Sequence, residues 1–524
     1  MRKIFLPLLF IGTLFSGCSV AQLPSKYASQ ISEESTRKHL TTLASPEFEG
    51  RGTGQLGGMK TANYIADQFR AYGLQPLVGD SYFQPVKLVR TSYKVEEFRI
   101  GDQTLVNGKD VFVQGDNTFG RFDAEEIVFV GFGIEDAKYN DLAGLSLAGK
   151  VVLLLNEGEP VDLTGNSVIT GNSQKSGWST NRFQRLQNIL KHNPKLVFAT
   201  GEGAAELIAR ANNRNMAGRF SLDNGNTAPS GNPNAQAPVA HLQIAAADQI
   251  LRMANTSVAQ FQENANSTLE PASTTIKFPI RTAVGVHTEQ FNDPNVLGLV
   301  EGTDLKDEIV VVGGHYDHDG ILPDGTFFPG ADDNGSGTVA VLELARAFAE
   351  AKKDGNAPRR SILFIAFAAE ERGLLGSKFY AENPILPLKN TVACINIDMI
   401  GRIDDKHLNG DHNYIHVIGV NRLSSGLKPI VEAANKSIGM KLDYEYDAPD
   451  EPMRLYYRSD HYNFAAKGIP SLFFFSGLHP HYHTPEDTVD KIDFPMMVKR
   501  EHLIFNTIWD IANRDERLKV DIAE

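Results

Sequence analysis

The stretch "SILFIAFAAEERGLLGS", residues 361–377, decides the fold and raises a chemical question. Its first part, 361–369, is a continuous run of apolar and small residues, which is typical of a strand buried on both faces. Two adjacent glutamates, Glu370 and Glu371, follow it directly. An unpaired buried carboxylate costs on the order of several kcal/mol. The pair therefore indicates a cation at the end of this strand.

Apolar strands and amphipathic helices alternate through the C-terminal half of the chain. The pattern predicts strands at 309–314, 361–369, 391–398, 414–419 and 469–475, and helices at 336–350, 424–437 and 495–512. This alternation predicts βαβ units, and hence an α/β fold with a mostly parallel sheet covered on both faces. In such a sheet, ligands bind beyond the carboxyl ends of the strands.

The length of 524 residues, of which 42% are hydrophobic, indicates more than one domain. Between about 118 and 280 the texture changes to short strands interrupted by Asn-, Ser- and Gly-rich stretches. We therefore expect residues 24–117 to form the N-terminal part of the main domain. Residues 118–280 form a smaller β-rich insert, and residues 281–524 form the larger part of the main domain.

The N-terminus, "MRKIFLPLLFIGTLFSGCSV", has the pattern of a bacterial export signal. Arg2 and Lys3 precede an apolar run, 4–15, that is too short to remain as a comfortable membrane-spanning helix. "FSGC" resembles a lipobox, so we expect a signal peptide over residues 1–18, with Cys18 becoming the lipid-bearing first residue. A plain signal peptide cut nearby is the alternative. Either predicts an exported protein of the periplasm or cell envelope, and the first adds a lipid anchor.

Cysteine usage and charge exclude other classes of protein. Apart from Cys18 there is one cysteine, Cys394, in the apolar "TVACINIDMIG". A buried, inert thiol is expected there, and no disulfide forms if Cys18 carries lipid. The net charge of −13, with no long basic run, argues against a nucleic-acid partner.

Histidine and carboxylate side chains follow the ends of four predicted strands or the loops after them. They are His315 and Asp317, Asp332 and Asp333, Glu370 and Glu371, Asp398, and His479, His481 and His483. Because the carboxyl ends of parallel strands share one edge of the sheet, these residues should lie close together. Mixed His and carboxylate ligands suit zinc, and cobalt or manganese is also compatible with them.

Each element taken alone has a simpler explanation. An Asp before "NGSG" is commonly a helix N-cap, and three histidines at alternate positions describe a solvated loop. "DHDG" lacks the spacing and the closing glutamate of a calcium loop. Four independent explanations at four consecutive strand ends are nevertheless less economical than one metal site. One glutamate of the pair would then bind metal, and the other would be free as a general base.

Five motifs in order, "GGHYDH", "GADDNGSG", "AFAAEERGLLGS", "NIDMIGR" and "YHTPEDT", resemble the dizinc metallopeptidases of family twenty-eight. That family includes bacterial aminopeptidases, glutamate carboxypeptidases, glutaminyl cyclases and catalytically inactive transferrin receptors. The segment "VFVGFGI…YNDLAGLSLAGKVVLLL" resembles a protease-associated domain, an insert that several members carry.

The resemblance implies two zinc ions and a ligand set for them. Asp333 would bridge the two ions. His315 and Asp398 would complete one zinc site, and Glu371 and His483 would complete the other. The choice of His483 over the two histidines before it rests on the match of "YHT" to the family.

The resemblance also implies three residues that act on the reaction. Glu370 would be the general base and acid, and Tyr482 would donate to the tetrahedral oxyanion. Asp317 would hold the far nitrogen of His315 in the right tautomer.

The function implied is that of an exported zinc aminopeptidase that hydrolyses N-terminal residues from peptides or proteins. A carboxypeptidase of the same family is the first alternative, and it would need a cationic pocket, for which Arg402, Arg454 and Arg458 are conceivable. A glutaminyl cyclase and a non-catalytic receptor-like module are the others. Retention of every ligand and of Glu370 argues against the receptor.

Overall fold

The computed structural model describes residues 23–114, 120–213, 218–223, 225, 237–322 and 324–523. The predicted signal peptide, 1–18, and its lipid-attachment residue Cys18 lie outside these residues. The chain divides into two compact units. Unit 1 contains the described residues up to 86 together with 293–321 and those from 327 onward, and unit 2 contains those within 87–292 and 322–326.

The described strands are β1 (Phe83–Ile100), β2 (Gln103–Thr104), β3 (Val111–Gln114), β4 (Gly120–Phe129), β5 (Val151–Leu155), β6 (Leu196–Thr200), β7 (Arg219–Leu222), β8 (Val239–Leu242), β9 (Thr274–Val300), β10 (Leu305–His315), β11 (Gly320–Ile321), β12 (Phe327–Phe328), β13 (Arg360–Phe367), β14 (Thr391–Ile397), β15 (Tyr414–Ile418), β16 (Lys441–Asp443) and β17 (Ser471–Phe475). The described α-helices are α1 (Leu23–Ala28), α2 (Glu33–Leu43), α3 (Leu56–Tyr72), α4 (Gly177–Thr180), α5 (Arg182–Lys191), α6 (Glu202–Asn213), α7 (Ile244–Leu251), α8 (Val258–Thr268), α9 (Gly337–Lys353), α10 (Leu375–Glu382), α11 (Leu427–Asn435), α12 (His461–Ala465) and α13 (Phe494–Asn513).

The sheet of unit 1 has the strand order β16-β15-β17-β14-β10-β13, followed by the segment 296–300 of β9. Strand β10 runs parallel to both β13 and β14, and β14 runs parallel to β17. Antiparallel pairing occurs where β9 meets β13 and where β15 meets β17. The predicted α/β fold with a mostly parallel sheet is therefore confirmed, and the sheet is mixed at two positions.

Helices cover both faces of this sheet. Successive side chains of a strand point to opposite faces, and β13 shows the alternation. Phe364 packs its ring 6.2 Å from that of Phe348 on α9, whereas Phe367 lies 6.0 Å from Phe464 on α12. All eight residues of β13 are buried, as a strand between two helical layers should be. This gives the three-layer arrangement predicted from the sequence.

A tight junction sets helix α9 against strand β14. A short π-helical turn, Ala331–Ser336, leads into α9, and the side chain of Asn334 accepts a hydrogen bond from the Gly337 N–H at 2.8 Å. The same side chain donates to the carbonyl oxygen of Ile397 at 3.0 Å. A Cβ on Gly337 would lie 2.3 Å from that oxygen, so only glycine fits where α9 begins.

A buried arginine from the N-terminal segment holds two loops of unit 1. Arg51 is fully buried at the end of the short turn Pro46–Arg51. Its guanidinium donates to the carbonyl oxygens of Tyr316 at 2.9 Å and of Pro329 and Gly330 at 2.7 Å each. A planar fork with five N–H donors suits several carbonyls at once. The motif "SPEFEGRGTG" thereby fixes the loops that follow β10 and precede α9.

Unit 2 has its own sheet and core. Its strand order in the sheet is the segment 274–284 of β9, then β4, β5, β6, β8 and β3. Strand β4 runs parallel to β5, β5 to β6, and β6 to β8. Aromatic residues fill its core, and the ring of Phe261 lies 5.0 Å from Phe129 and 4.9 Å from Phe132.

Unit 2 extends beyond the predicted insert, 118–280, on both sides. The segment 88–91 of β1 pairs with β7, and the segment 281–284 of β9 pairs with β4. Both segments belong to unit 2 and lie outside 118–280, so unit 2 is longer than the predicted insert at both ends. The predicted limit at 117–118 itself lies outside the described residues. The protease-associated character of this unit stays a prediction.

Among the described residues, no helix combines the length and the apolar character needed to cross a bilayer.

Candidate metal centre

The predicted site residues meet at one edge of the unit 1 sheet, because β10, β13, β14 and β17 all end there. His315 is the last residue of β10, and Asp398 directly follows β14. The remaining ones lie in loops, namely Asp333 before α9, Glu370 and Glu371 after β13, and His483 after β17. The sheet thus gathers residues that are far apart in the sequence.

The two glutamates lie in a turn and not on the strand itself. Strand β13 ends at Phe367, two residues earlier than predicted, and Ala369 adopts a left-handed backbone with φ 54°. The turn brings both following N–H groups to the carboxylate of Asp317, at 2.9 Å from Glu370 and 3.3 Å from Glu371. This anchoring explains how two neighbouring side chains can enter one crevice in different directions.

Four of these residues surround a first subsite. Nε2 of His315 lies 3.4 Å from Oδ1 of Asp398 and 3.7 Å from Oδ1 of Asp333. Oε2 of Glu370 lies 3.7 Å from the same nitrogen. Ligand atoms about 2.0–2.2 Å from one zinc ion are spaced in this way. His315, Asp398 and Asp333 therefore form a candidate three-ligand subsite, with Glu370 beside it.

A second subsite uses the other oxygen of Asp333. Oδ2 of Asp333 lies 2.9 Å from Nε2 of His483, and Oε2 of Glu371 lies 3.5 Å from that nitrogen. Asp333 thus faces one imidazole with each of its oxygens, as a carboxylate that bridges two ions must. The structure therefore brings all five predicted ligands together, and their role as zinc ligands stays a prediction.

The carboxylate oxygens of the two subsites are also suited to divalent cations. Oδ2 of Asp333 and Oδ1 of Asp398 are buried, and neither accepts a hydrogen bond from the described residues. Four carboxylates converge on two imidazoles here, so the buried negative charge exceeds what the imidazoles can balance. Buried carboxylates are expected to be paired or to coordinate metal. Two zinc ions fit these residues in both charge and ligand type.

Burial dominates the acid–base properties of the centre. It raises the pKa of Glu370 well above the ordinary value, with His315 opposing and Glu371 adding to the shift. It raises the pKa of Asp333 in the same way, with support from the charges of Glu371 and Asp398. For Asp398, burial is outweighed by His315 and by a hydrogen bond from Ser459, so its pKa is lowered.

Asp317 supports the centre differently from its predicted role. Nδ1 of His315 meets the carbonyl oxygen of Asp317 at 3.0 Å, whereas the carboxylate Oδ1 lies 3.9 Å from that nitrogen. The carboxylate accepts instead from the Thr53 hydroxyl at 2.9 Å and from the two glutamate N–H groups described above. The main chain of Asp317 therefore fixes the tautomer of His315, and its side chain fixes the glutamate turn.

The hydroxyl of Ser459 orients Asp398, one of the candidate ligands of the first subsite. The Ser459 hydroxyl donates to Oδ2 of Asp398 at 2.7 Å, and Asn396 donates to the Ser459 oxygen at 2.7 Å. All three residues are buried. This chain of hydrogen bonds leaves Oδ1 of Asp398 turned toward His315.

The structure separates the neighbouring candidates that sequence spacing left open. Asp332 accepts from the Gly401 N–H at 2.7 Å, and its second oxygen lies 3.3 Å from Nε2 of His479. Nδ1 of His481 lies 3.1 Å from the Arg402 guanidinium. Asp332, His479 and His481 therefore have partners of their own behind the centre.

Tyr482 lies against the second subsite. Its ring packs 3.9 Å from the ring of His483 and is half-buried. Burial raises the pKa of its hydroxyl, and the charges of Asp333 and Glu371 raise it further. The hydroxyl is therefore held in its protonated form, in which it can donate a hydrogen bond, as its predicted role requires.

Two supporting residues were missed in the sequence analysis. Nδ1 of His318 lies 2.9 Å from Oε1 of Glu371, and Oδ2 of Asp319 lies 3.5 Å from Nδ1 of His483. Both belong to "GGHYDHDG", of which only His315 and Asp317 were assigned. The sequence did carry a signal for them, because His318 and Asp319 are ionisable and directly follow Asp317.

A cavity of about 430 Å³ in unit 1 is lined by Arg422 and by residues that follow β16. Tyr456 and Tyr457 form part of its wall, with the Arg422 and Arg454 guanidinium groups 4.7 and 4.8 Å from the centres of their rings. Tyr457 lies two residues before Ser459, which orients Asp398. Of the arginines considered for a carboxypeptidase, Arg454 therefore lines a cavity, whereas Arg402 contacts His481.

A separate group of two histidines and one carboxylate lies near β15. Asp404 accepts from Nδ1 of His407 at 2.6 Å and from Nε2 of His416 at 2.8 Å. Each carboxylate oxygen thus has one imidazole partner at ordinary hydrogen-bond length. Both oxygens of the carboxylate are satisfied without an ion, which indicates a structural hydrogen-bond cluster.

Residues 295–508 match the model of Peptidase family M28. This region therefore resembles a family M28 peptidase domain. Two similar proteins are named as aminopeptidases. Aminopeptidase YwaD of Bacillus subtilis is 30% identical over 233 residues, which cover 43% of this chain and 46% of the relative. Leucine aminopeptidase 1 of Arthroderma otae is 33% identical over 216 residues, covering 39% and 55%. The chain thus spans about half the length of these curated relatives.

Solved structures share the fold of this protein over nearly the whole chain. An aminopeptidase from Aneurinibacillus sp. strain AM-1 superposes with a TM-score of 0.57 at 21% identity, covering 96% of this chain and 98% of its own. A zinc aminopeptidase from Bacillus subtilis gives a TM-score of 0.54 at 20% identity, covering 94% and 99%. At these identities the likeness establishes the shared fold.

Proposed function

We propose that this M28 protein is a zinc-dependent aminopeptidase that removes N-terminal residues from peptides. The observation that carries the proposal is the position of Asp333, which offers one oxygen to each of two imidazole–carboxylate pairs. His315 and Asp398 would hold one zinc ion, and Glu371 and His483 the other. The names of the similar proteins favour action at the N-terminus over the other activities of the family.

Glu370 supplies the proton transfers in this proposal. Zinc, when bound, supplies Lewis-acid chemistry by polarising the scissile carbonyl and acidifying water. Glu370 is the carboxylate beside the first subsite that the ligand assignment leaves unused. Its Oε2 takes a proton from the attacking water, holds it, and passes it to the leaving amine.

Two further residues stabilise the reacting groups. The protonated Tyr482 hydroxyl donates to the oxygen of the scissile carbonyl as negative charge develops on it, which is the usual task of an oxyanion donor. The Asp317 carboxylate binds the N–H of Glu370 at 2.9 Å and so fixes the direction of the base. A base held in this way needs no reorganisation when the proton moves.

One peptide assay tests the proposal. A short peptide is offered with a free or an acetylated N-terminus, before and after chelation, and after zinc is restored. Zinc-dependent release of the first residue, abolished by acetylation, is the expected result. Trimming of the acetylated peptide from its other end would replace the proposal by a carboxypeptidase. No release from either peptide by the zinc-loaded protein would leave a cyclase or a silent receptor-like module.

The proposed location is the cell envelope, with Cys18 carrying a lipid anchor. This location is supported by the sequence of residues 1–18 alone, because the segment lies outside the described residues. In cells expressing the full chain, the protein is expected in the membrane fraction, and Cys18→Ser should move it to the soluble exported fraction. Equal membrane association of both forms would refute the anchor.

A further inference from the structure

His318 is built into the wall of the second subsite. It is fully buried, and its Nδ1 lies 2.9 Å from Oε1 of Glu371 but 3.8 Å from Oδ2 of Asp333. Gly330 backs the ring, since a Cβ at that position would come within 2.4 Å of it. His318 therefore has little freedom to turn. It donates to one oxygen of Glu371 and leaves the other, Oε2, directed toward His483.

Asp319 supports the imidazole of the same subsite. Its side chain is 1% exposed, and its Oδ2 lies 3.5 Å from Nδ1 of His483, whose Nε2 faces Asp333. A carboxylate on the far nitrogen of a metal-binding histidine fixes its tautomer and raises its basicity. Asp319 lies at ion-pair distance from that nitrogen of His483 and is placed for this role.

The first subsite uses different supports. The carbonyl oxygen of Asp317 faces Nδ1 of His315, and the Ser459 hydroxyl holds Asp398. Only Asp333 belongs to both subsites. Asp317 also contacts both subsites, since its carboxylate accepts from the Glu371 N–H at 3.3 Å. The remaining supports, Ser459 for the first subsite and His318 and Asp319 for the second, are separate, so a change in one of these should not weaken the other subsite.

We propose that His318 and Asp319 are positioning residues for the second subsite alone, and that each subsite loses zinc independently when its own supports are removed. The inference rests on the proposed dizinc function. It assigns His318 to Glu371 as a hydrogen-bond donor and not as a zinc ligand, because its 2.9 Å contact is to the oxygen turned away from His483.

The test measures zinc per chain in the purified full-length protein dialysed against a graded series of chelator concentrations. The wild type should retain two ions. Asp319→Asn and His318→Ala should each keep one ion as tightly as the wild type and hold the second about 10- to 100-fold more weakly, the usual effect of losing a supporting partner. Ser459→Ala serves as the matched variant and should weaken one ion to a similar degree.

The double variant Asp319→Asn/Ser459→Ala shows whether the two single changes act on different ions. If they do, both ions are weakened in the double variant. If one tight ion remains in it, the two supports act on the same subsite and the inference fails. Two tightly held ions in both Asp319→Asn and His318→Ala would also overturn it, while leaving the proposed function intact. A wild type that binds no zinc would remove the proposed function as well.

His318→Asn distinguishes a donor from a ligand. The amide nitrogen of asparagine stands as many bonds from Cα as Nδ1 of histidine, so it can still donate to Glu371. This variant should hold its second ion more tightly than His318→Ala. Equal weakening in both would show that His318 is itself a ligand and would overturn its assignment. If His318→Ala does not fold, Asp319→Asn and the double variant still decide the independence of the subsites.

Discussion

Arg51 and Asp487 both hydrogen-bond to the loop before α9, Arg51 to its carbonyl oxygens and Asp487 to its N–H groups. Arg51 donates to the carbonyl oxygens of Pro329 and Gly330, and the Asp487 carboxylate accepts from the N–H groups of Asp332 and Asp333, each at 3.0 Å. Both side chains are fully buried. The loop that presents the shared ligand Asp333 is therefore fixed by one cation and one anion.

Replacing Arg51 should destabilise the protein strongly. Arg51→Ala leaves several buried carbonyl oxygens without a donor and removes one of the positive charges near Asp487, which costs about 3–5 kcal/mol in comparable buried sites. Urea unfolding should show this as a lower midpoint. Arg51→Lys should recover part of the loss, since one ammonium group cannot span all the oxygens. An unchanged midpoint for Arg51→Ala would show that the loop is held by other contacts.

Removing the carboxylate of Glu370 should stop catalysis and spare metal binding. We expect Glu370→Gln to lower turnover by about two to four decades, the scale of a positioned general base. Glu382, exposed at the end of α10, supplies a matched Glu→Gln control. Steady-state peptide hydrolysis and zinc content are measured on the same samples. Turnover close to wild type would exclude Glu370 as the base.

The two adjacent aspartates before α9 should behave differently. Asp333→Ala removes an oxygen from each subsite, so the purified variant should lose both zinc ions on dialysis. Asp332→Asn should retain them, because its carboxylate contacts Gly401 and His479. Metal analysis of both proteins makes the comparison. Full occupancy in Asp333→Ala would contradict its position between the subsites.

Asp404 should stabilise the fold in a pH-dependent way. Hydrogen bonds from His416 and His407 outweigh the effect of burial and lower the pKa of Asp404 to about 2. A carboxyl with a depressed pKa stabilises the fold above its unfolded pKa, near 4, and loses that effect as pH falls toward its folded pKa. The contribution amounts to about 2 kcal/mol.

Unfolding of the wild type and Asp404→Asn is therefore compared across the acid range. The stability difference should be largest above about pH 5 and should shrink below about pH 4. The neighbouring exposed Asp405 provides the control, and Asp405→Asn should show a much smaller change. A difference for Asp404→Asn that does not vary with pH would show that the two imidazoles do not favour its charged form.

Cys394 should be chemically silent in the folded protein. It is buried and unpaired on β14, and burial raises the pKa of its thiol well above the ordinary value. The thiolate is the reactive form, so a thiol-specific reagent should not label Cys394 at neutral pH until denaturant is added. Rapid labelling of the native protein would show that β14 opens locally.

The positions of the buried strands and the group of candidate ligands were predictable because long apolar runs mark buried strands, and parallel strands end together. The supporting contacts were not. Residues 315, 317 and 319 would share one face of a strand, but β10 ends at His315. Beyond His315 successive side chains no longer point to alternate faces of a strand, and Asp317 presents its carbonyl and its carboxylate to different partners. The choice of His483 over His479 and His481 came from the match of "YHT" to the family, because a spacing of two residues does not determine which imidazole enters the centre.

The ligands of the centre come from five separate segments of the chain, and no two neighbouring segments could form either subsite alone. Bound ions would therefore act as cross-links between β10, β14 and the loops around them. The described residues hold a single, unpaired cysteine, so no disulfide within them performs that task. Because the unfolded chain has no preformed site, the free energy of binding zinc adds to the free energy of unfolding. Metal supply would then govern how long this protein survives as well as how fast it works.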